Sequence, residues 1–374
     1  MPSASNAISY KLTVGGSPIP EELASAIQQV EVEEHAEMAA ILRLRAAVGV
    51  RPDGSGWTVL DDGTFQRLAR VGLSAIAGSS GAQTLIDGYV IESSVTFSPE
   101  PGGSVLTVVA MDGSVLMNLE EKVRRWPAAA DSDIASTIFG EYGFSARVAA
   151  TAQAHAEEQQ TTMQRGTDIQ FLQTLARRNG YECYVEVAAD GSETFGFFQP
   201  PDMQQPPIGV LSINLGEATN VDAFQLRHDM LRPVHAKVKG LEIEDASEQL
   251  ITAEGMSLQV LGSDSTVPAD QPRTVLLAQT GLAYGGDWQT LAQAVVDRSS
   301  WAVTAEGELN TATFGAILRA RRMVSVRGIG RLFSGAWYVH RVLHTFSADG
   351  HKQRFTLRRN ATGLAGNETF TEER

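Results

Sequence analysis

The chain has 374 residues and a mass of 40.2 kDa, more than one ordinary core holds, so at roughly 150 residues per domain it divides into two or three. Apolar residues at 43% and charged residues at 20% predict a soluble globular protein; no run approaches the ~18 apolar residues of a membrane span, and the opening MPSASNAISY lacks a secretory-signal layout. The single cysteine, Cys183, excludes an intramolecular disulfide and a multi-cysteine zinc site and fits a reducing cytosol, while a net charge of −14 gives the whole chain no electrostatic reason to seek nucleic acid.

The first 110 or so residues read as a β-domain. Tyr10 to Val14, Gln29 to Glu33, Ala39 to Arg45, Asp87 to Phe97 and Ser104 to Met111 combine strand formers, and turns are marked at Asp53-Gly54, Asp62-Gly63, Pro101-Gly102-Gly103 and Asp112-Gly113. Pro20 to Leu23 suits the first turn of one short helix. From Ser114 the pattern turns helical: Leu116, Leu119 and Val123, with Glu120 to Arg124 and Glu121 to Arg125 at (i, i+4), predict a short helix ended by Pro127. A second helix is predicted over Ser132 to Tyr142, burying Ile134, Ala135, Ile138 and Phe139.

After a polar, alanine-rich stretch from Thr151 to Gln164 comes TDIQFLQTLARRNGYECYVEV. Thr167 and Gln170 predict a capping box, Ile169, Leu172, Leu175 and Ala176 an apolar stripe, and Gly180 a left-handed terminator. Tyr181 to Val187 and Glu193 to Phe198 then form a hairpin turning at Asp190-Gly191. Prolines between Pro200 and Pro207 read as a linker. Beyond it, Val221 to Arg227, Val234 to Glu244 and Arg273 to Gln279 are predicted strands. A helix opening at Gly285-Gly286-Asp287 carries Trp288, Leu291, Ala294, Val295 and Trp301. Arg322 to Val326, Gly335 to Phe346 and Gln353 to Arg359 are strands again, the last two a hairpin at Asp349-Gly350, and a polar tail follows from Gly363.

Charge is divided along the chain. Glu21 to Glu37 holds six glutamates and no Lys or Arg, whereas Arg319 to Arg359 holds nine Arg and Lys352 against Asp349 alone. Solvated strand faces account for this; complementary docking between copies or with a partner is the functional alternative, with Glu31, Glu33, Glu34, Arg341, Arg354 and Arg358 as interface candidates.

Catalytic and cofactor motifs are mostly wanting. There is no phosphate loop and no H-E-x-x-H, Phe333 stands where a dinucleotide fingerprint needs its third glycine, and Gly78-Ser79-Ser80-Gly81 is not G-x-S-x-G. His340 and His344 in a strand lie roughly 13 Å apart and read as structural rather than as metal ligands. Cys183 reads as a buried inert thiol, the glutamates as a solvated face rather than a glycosidase pair, and the sequons at Asn360 and Asn367 matter only in a secreted eukaryotic protein. No cofactor and no metal are expected.

Four stretches, in this order, resemble the baseplate hub family of contractile tails: the late control gene D proteins of phages and the hub part of valine-glycine repeat spike proteins. They are YKLTVGGSPIPEEL with IQQVEVEE, DGYVIESSVTFSPEPGGSVLTVVAMDGSVLMNLEEKVRRW with DSDIASTIFGEYGF, QRGTDIQFLQTLARRNGYECYV, and FSGAWYVHRVLHTFSADGHKQRFTLRRN. Together they span most of Tyr10 to Asn360. The resemblance implies a mainly β fold with α+β insertions, built as two tube-like antiparallel β-barrel domains plus an intermediate α+β region. With it the sequence divides into a first barrel over 1–113, the intermediate region over 114–207, a second barrel over 208–265 and 308–362, an insertion with a helix over 266–307, and a flexible tail over 363–374.

The function implied is structural: a homotrimer whose six barrels adapt a hexameric inner tube to a trimeric spike, made in the bacterial cytoplasm and assembled into a baseplate. Its partners would be a spike protein, the inner tube or a tube initiator, and baseplate wedge components, with no membrane insertion and no specific nucleic acid. Since about fifteen residues follow Arg359, the spike is expected on a separate polypeptide unless the chain is a shortened one. The rival reading is a carbohydrate- or peptidoglycan-directed β-domain enzyme, resting on the acids and on five tryptophans able to stack on sugars. A third is a single-stranded nucleic-acid binder, which the net charge disfavours.

Overall fold

A computed structural model describes residues 10–51, 53–61, 63–77, 81–100, 102–152, 161–241, 247–278, 285–366, 368 and 370. Expectations that fall on residues 1–9, Asp62, 78–80, Pro101, 153–160, 242–244, Gln279, Asn367 and the last four residues lie outside the described residues.

The chain is mainly β, as expected, and 13 of the 23 strands among the described residues belong to one sheet. Along the main path the strands are Ala223–His228, Val303–Asn310, Gly350–Arg359, Gly335–Ser347, Ile27–His35, Ile41–Ala47, Val105–Asp112, Gln83–Thr96, Arg70–Ala75, Tyr10–Val14 and Ser17–Pro18, all antiparallel to their neighbours. Met323–Arg327 branches off Gly335–Ser347 and carries Val210–Ser212 in parallel on its far side.

Period-two alternation decides which side chains enter the core. In Ile27–His35 the buried residues are Val30, Val32 and Glu34, and in Val105–Asp112 they are Leu106, Val108, Ala110 and Asp112. The first set of strands closes over Val30, Val32, Leu42, Leu44, Leu73, Ile86 and Val108. The later set closes over Leu211, Val303, Leu309, Val324, Trp337, Val339, Phe355 and Leu357. Each fully buried side chain of this kind contributes ~1.5–3 kcal/mol. The two cores thus share a continuous sheet, joined where Gly335–Ser347 pairs with Ile27–His35 from Arg341 opposite His35 to Phe346 opposite Val30. The other end of Gly335–Ser347 pairs with Met323–Arg327 instead, and the register slips between Val339 and Arg341, where one partner gives way to the other.

Between these cores, helices Asp131–Glu141 and Asp168–Asn179 pack on the hairpin of Glu182–Val187 and Thr194–Gln199, as the sequence predicts, and Gly180 takes φ 72° after the second helix. Gly196 is required by a close approach: a Cβ there would lie 2.2 Å from Phe139 Cδ1. Two expectations are corrected. The Leu116 to Val123 helix is instead a 3₁₀ turn, Gly113–Asn118, capped by Asp112, followed by a strand, Glu121–Pro127, paired with Thr161–Thr167. The charges that pointed to a helix serve cross-element contacts: Arg124 Nη1 reaches Glu141 at 2.6 Å and Lys122 Nζ reaches Asp168 at 2.6 Å. Thr167 does precede its helix but caps nothing with its side chain, because its hydroxyl faces Asn118 Oδ1 at 2.9 Å.

The helix Gly285–Ser299 lies on a three-stranded sheet of Glu248–Ala253, His235–Leu241 and Thr274–Ala278. Trp288 reaches the sheet only because Gly240 has no side chain; a Cβ there would fall 1.2 Å from the indole. Trp301, expected on this helix, lies just beyond its end and packs on Tyr338 with ring centroids 5.4 Å apart.

Candidate functional site

The acidic and basic regions meet, and they do so within one chain. Antiparallel pairing of Gly335–Ser347 with Ile27–His35 places Arg341 beside Glu33, and Arg341 Nε donates to Glu33 Oε1 at 2.6 Å while Arg43 Nη1 reaches Oε2 at 3.4 Å. Burial raises the Glu33 carboxyl, but these two arginines outweigh it and hold it below its ordinary value. Glu34, on the opposite face of the strand, accepts from Arg319 Nε at 2.7 Å and from the Ala320 N–H at 3.0 Å. Arg358 Nη1 donates to Glu37 at 3.0 Å, Arg354 Nη2 donates to Glu308 at 3.1 Å, and Glu31 accepts from Gln29 at 2.8 Å. Of the six sequence candidates, only Glu33 and Arg341 are brought together.

The structure adds a cluster that composition could not single out: Arg319, Arg321 and Arg322. Arg319 ties Glu34 to the Gln83–Thr96 strand by donating to Thr84 O at 3.0 Å. Arg321 is 4% exposed and adopts φ 64°, a left-handed conformation costing a non-glycine residue about 1 kcal/mol. Its guanidinium lies 3.7 Å over the Tyr184 ring, donates to the carbonyls of His35, Ala36 and Met38, and sits 3.5 Å from Glu186. Burial opposes its charge, but Tyr184, Glu186, Glu182 and Glu34 outweigh that and raise its pKa. Arg322 donates to the same Glu186, and Tyr338 donates to Glu182 at 2.7 Å. A buried network of this kind adds little net stability, but it fixes one relative placement of the three elements it joins, since any other leaves a buried charge unpaired.

The residues weighed for chemistry are packed away. Burial pushes the Cys183 thiol up to about 12, leaving no thiolate near neutral pH. His340 stands edge-on to His35 at 4.3 Å and His344 faces His351, so the two histidines four apart are each engaged elsewhere. Among the described residues no group of three or more His, Cys, Asp or Glu is placed to hold a metal. Trp126, Trp288, Trp301 and Trp337 are buried, which removes most of the surface that stacking on sugars would use. No helix among the described residues is long and apolar enough to cross a membrane.

The fold is similar to that of a 43 kDa tail protein of prophage MuSo2 from Shewanella oneidensis, with a TM-score of 0.68 at 12% identity over 95% of this chain and 100% of that one. A tail protein from Neisseria meningitidis MC58 gives 0.66 at 12% identity over 95% and 97%. A type VI secretion component of E. coli, itself structurally similar to bacteriophage T4 tail proteins, gives 0.56 at 10% over 97% and 80%. No curated protein matches the chain by sequence. Two apolar cores on one antiparallel sheet, locked by a buried arginine cluster, therefore have the fold of phage tail proteins. The chain belongs to the Alg8_N family, the Alg8 N-terminal domain, which matches residues 4–348.

Proposed function

We propose that the chain is the structural hub of a contractile, phage tail-like machine, a homotrimer that adapts a hexameric inner tube to a trimeric spike. The observation that carries this reading is the likeness to a prophage tail protein along the whole of that protein and 95% of this chain. The architecture supports it. Each protomer brings two cores on one largely antiparallel sheet, so three protomers around an axis would bring six walls toward a hexameric ring and a threefold surface toward a spike.

In this reading the chain works as two barrels with the α+β region between them, its partners are the spike, the inner tube or its initiator, and baseplate wedge components, and it is assembled into a baseplate after synthesis in the bacterial cytoplasm. Contacts between copies fall to the most outward charges, Arg354 with a side chain 66% exposed and Glu31, which accepts from Gln29, because the side chains of Glu33, Glu34, Arg341 and Arg358 are at most 39% exposed. Native mass tests the proposal: three copies of a 40.2 kDa chain give about 121 kDa, rising when a candidate spike protein is added. A persistent monomer that takes up no spike would overturn it.

A further inference from the structure

A cleft of about 650 Å³ opens where residues 35–39, the end of helix Asp168–Asn179, the end of helix Gly285–Ser299 and the strands bearing Tyr338 and Arg358 come together. Its wall carries Arg177, Arg232, Arg298 and Arg358. The first three have no carboxylate partner among the described residues. The Arg177 side chain donates to Gln173 O at 3.2 Å, Arg298 donates to Arg177 O at 3.0 Å, and among the described residues no side-chain hydrogen bond or ion pair engages Arg232.

The carboxylates that share the wall are already engaged. Glu37 accepts from Arg358 at 3.0 Å, Glu182 from the Tyr338 hydroxyl at 2.7 Å, and Asp297 from the Ser257 N–H and hydroxyl at 2.6 Å each. The wall thus carries four guanidiniums against three carboxyl groups, Glu37, Glu182 and Asp297, of which burial pushes Glu182 up to about 7. His340, also on the wall, is pushed down to about 2 mainly by burial, with Arg358, His35, Arg232 and Arg321 adding to it.

We propose that this cleft is a binding site for a compact ligand bearing carboxylate or phosphate groups. Planar guanidinium forks match both oxyanions, and the volume suits a small molecule rather than a single ion. The inference stands on the cleft alone and is independent of the hub reading.

Calorimetric titration of the full chain with sodium citrate and, separately, with inorganic pyrophosphate tests it, ionic strength being held constant with sodium chloride. Saturable binding of one probe is expected, and which one binds distinguishes a carboxylate ligand from a phosphate ligand. Arg232 is exposed, so Arg232→Ala should keep the thermal midpoint and weaken binding about tenfold. Lys237→Ala, an equal loss of charge at an exposed position outside the cleft, should leave binding unchanged. No saturable binding of either probe, or equal weakening by the two substitutions, would overturn the assignment.

Discussion

Mild acid should destabilise this protein well before its solvent-exposed carboxylates protonate. His340, His344 and His351 are 5%, 0% and 1% exposed. Burial is the main cause that pushes them down to about 2, about 3 and about 2, with Arg358, His35, Arg232 and Arg321 adding to it at His340, Arg319 at His344, and His344 at His351. His344 Nδ1 and His351 Nε2 are 3.1 Å apart, so one ring donates to the other, and the outer nitrogens of both have no partner among the described residues. A proton added to either ring meets no carboxylate.

Below the unfolded-state value of ~6.5, the unfolded chain therefore binds protons that the native fold refuses. The stability from these histidines is fully present above that pH and is lost as pH falls through it toward the folded values. Glu182 acts in the opposite sense. Burial, only partly offset by the Tyr338 hydrogen bond and Arg321, pushes it up to about 7, so the native state gains a proton there first. Three histidines less one glutamate leave a difference of under one proton at pH 6.5 that grows to about two at pH 5.0, ~3 kcal/mol over the interval, and His35, lowered by burial as well, adds in the same direction. Urea unfolding followed by tryptophan fluorescence across that range measures it, and His344→Gln should reduce the slope by ~1.4 kcal/mol per pH unit. A flat stability profile, or a native His344 ring that titrates near pH 6.5 by NMR, would refute the reasoning.

The buried pair that joins the two cores gives a second prediction. Glu34→Ala leaves Arg319 without its carboxylate at a site where the side chains are 4% and 11% exposed, and should cost ~3 kcal/mol in urea unfolding, with Arg319→Met in the same background restoring part of the loss. If Arg319→Met costs as much in the Glu34→Ala background as it does in the native chain, the pair does not couple. Gly240→Ala sets a methyl group against the Trp288 ring and should cost ~1–3 kcal/mol, with a shift in tryptophan emission; an unchanged melting temperature would show that the helix Gly285–Ser299 can lift off its sheet freely.

How far the sequence could be read follows the strength of each local pattern. Tyr10 to Val14 and Gly335 to Phe346 are rich in β-formers, and helix Asp168–Asn179 has its apolar stripe and terminal glycine, so each was legible. Val303–Asn310 was not, although its burial alternates regularly, because the buried side of VTAEGELN includes Ala305 and Gly307. Gly307 has to be small because Phe355 lies across from it, a cause that sits about fifty residues away. Glu248–Ala253, Arg70–Ala75 and Thr161–Thr167 were missed for want of a continuous apolar run. The Glu121–Pro127 strand was masked by (i, i+4) charge pairs that are equally compatible with contacts to other elements. At the candidate site, the charge division was visible as composition, but Arg321 looked like any other arginine in its run.

The order and type of most elements, the mainly β class and the division of charge were determined by the sequence itself, since periodicity, turn residues and composition are local properties. Which charges meet was decided only by the tertiary structure. Pairing Gly335–Ser347 with Ile27–His35 joins residues some three hundred apart, placing Arg341 on Glu33 and Arg319 on Glu34. The register of that pairing depends on how the two cores fill on either side of one sheet. Strand propensity does not encode such a register, because every residue of both strands could pair equally well two positions away until the buried side chains and their unpaired charges penalise it.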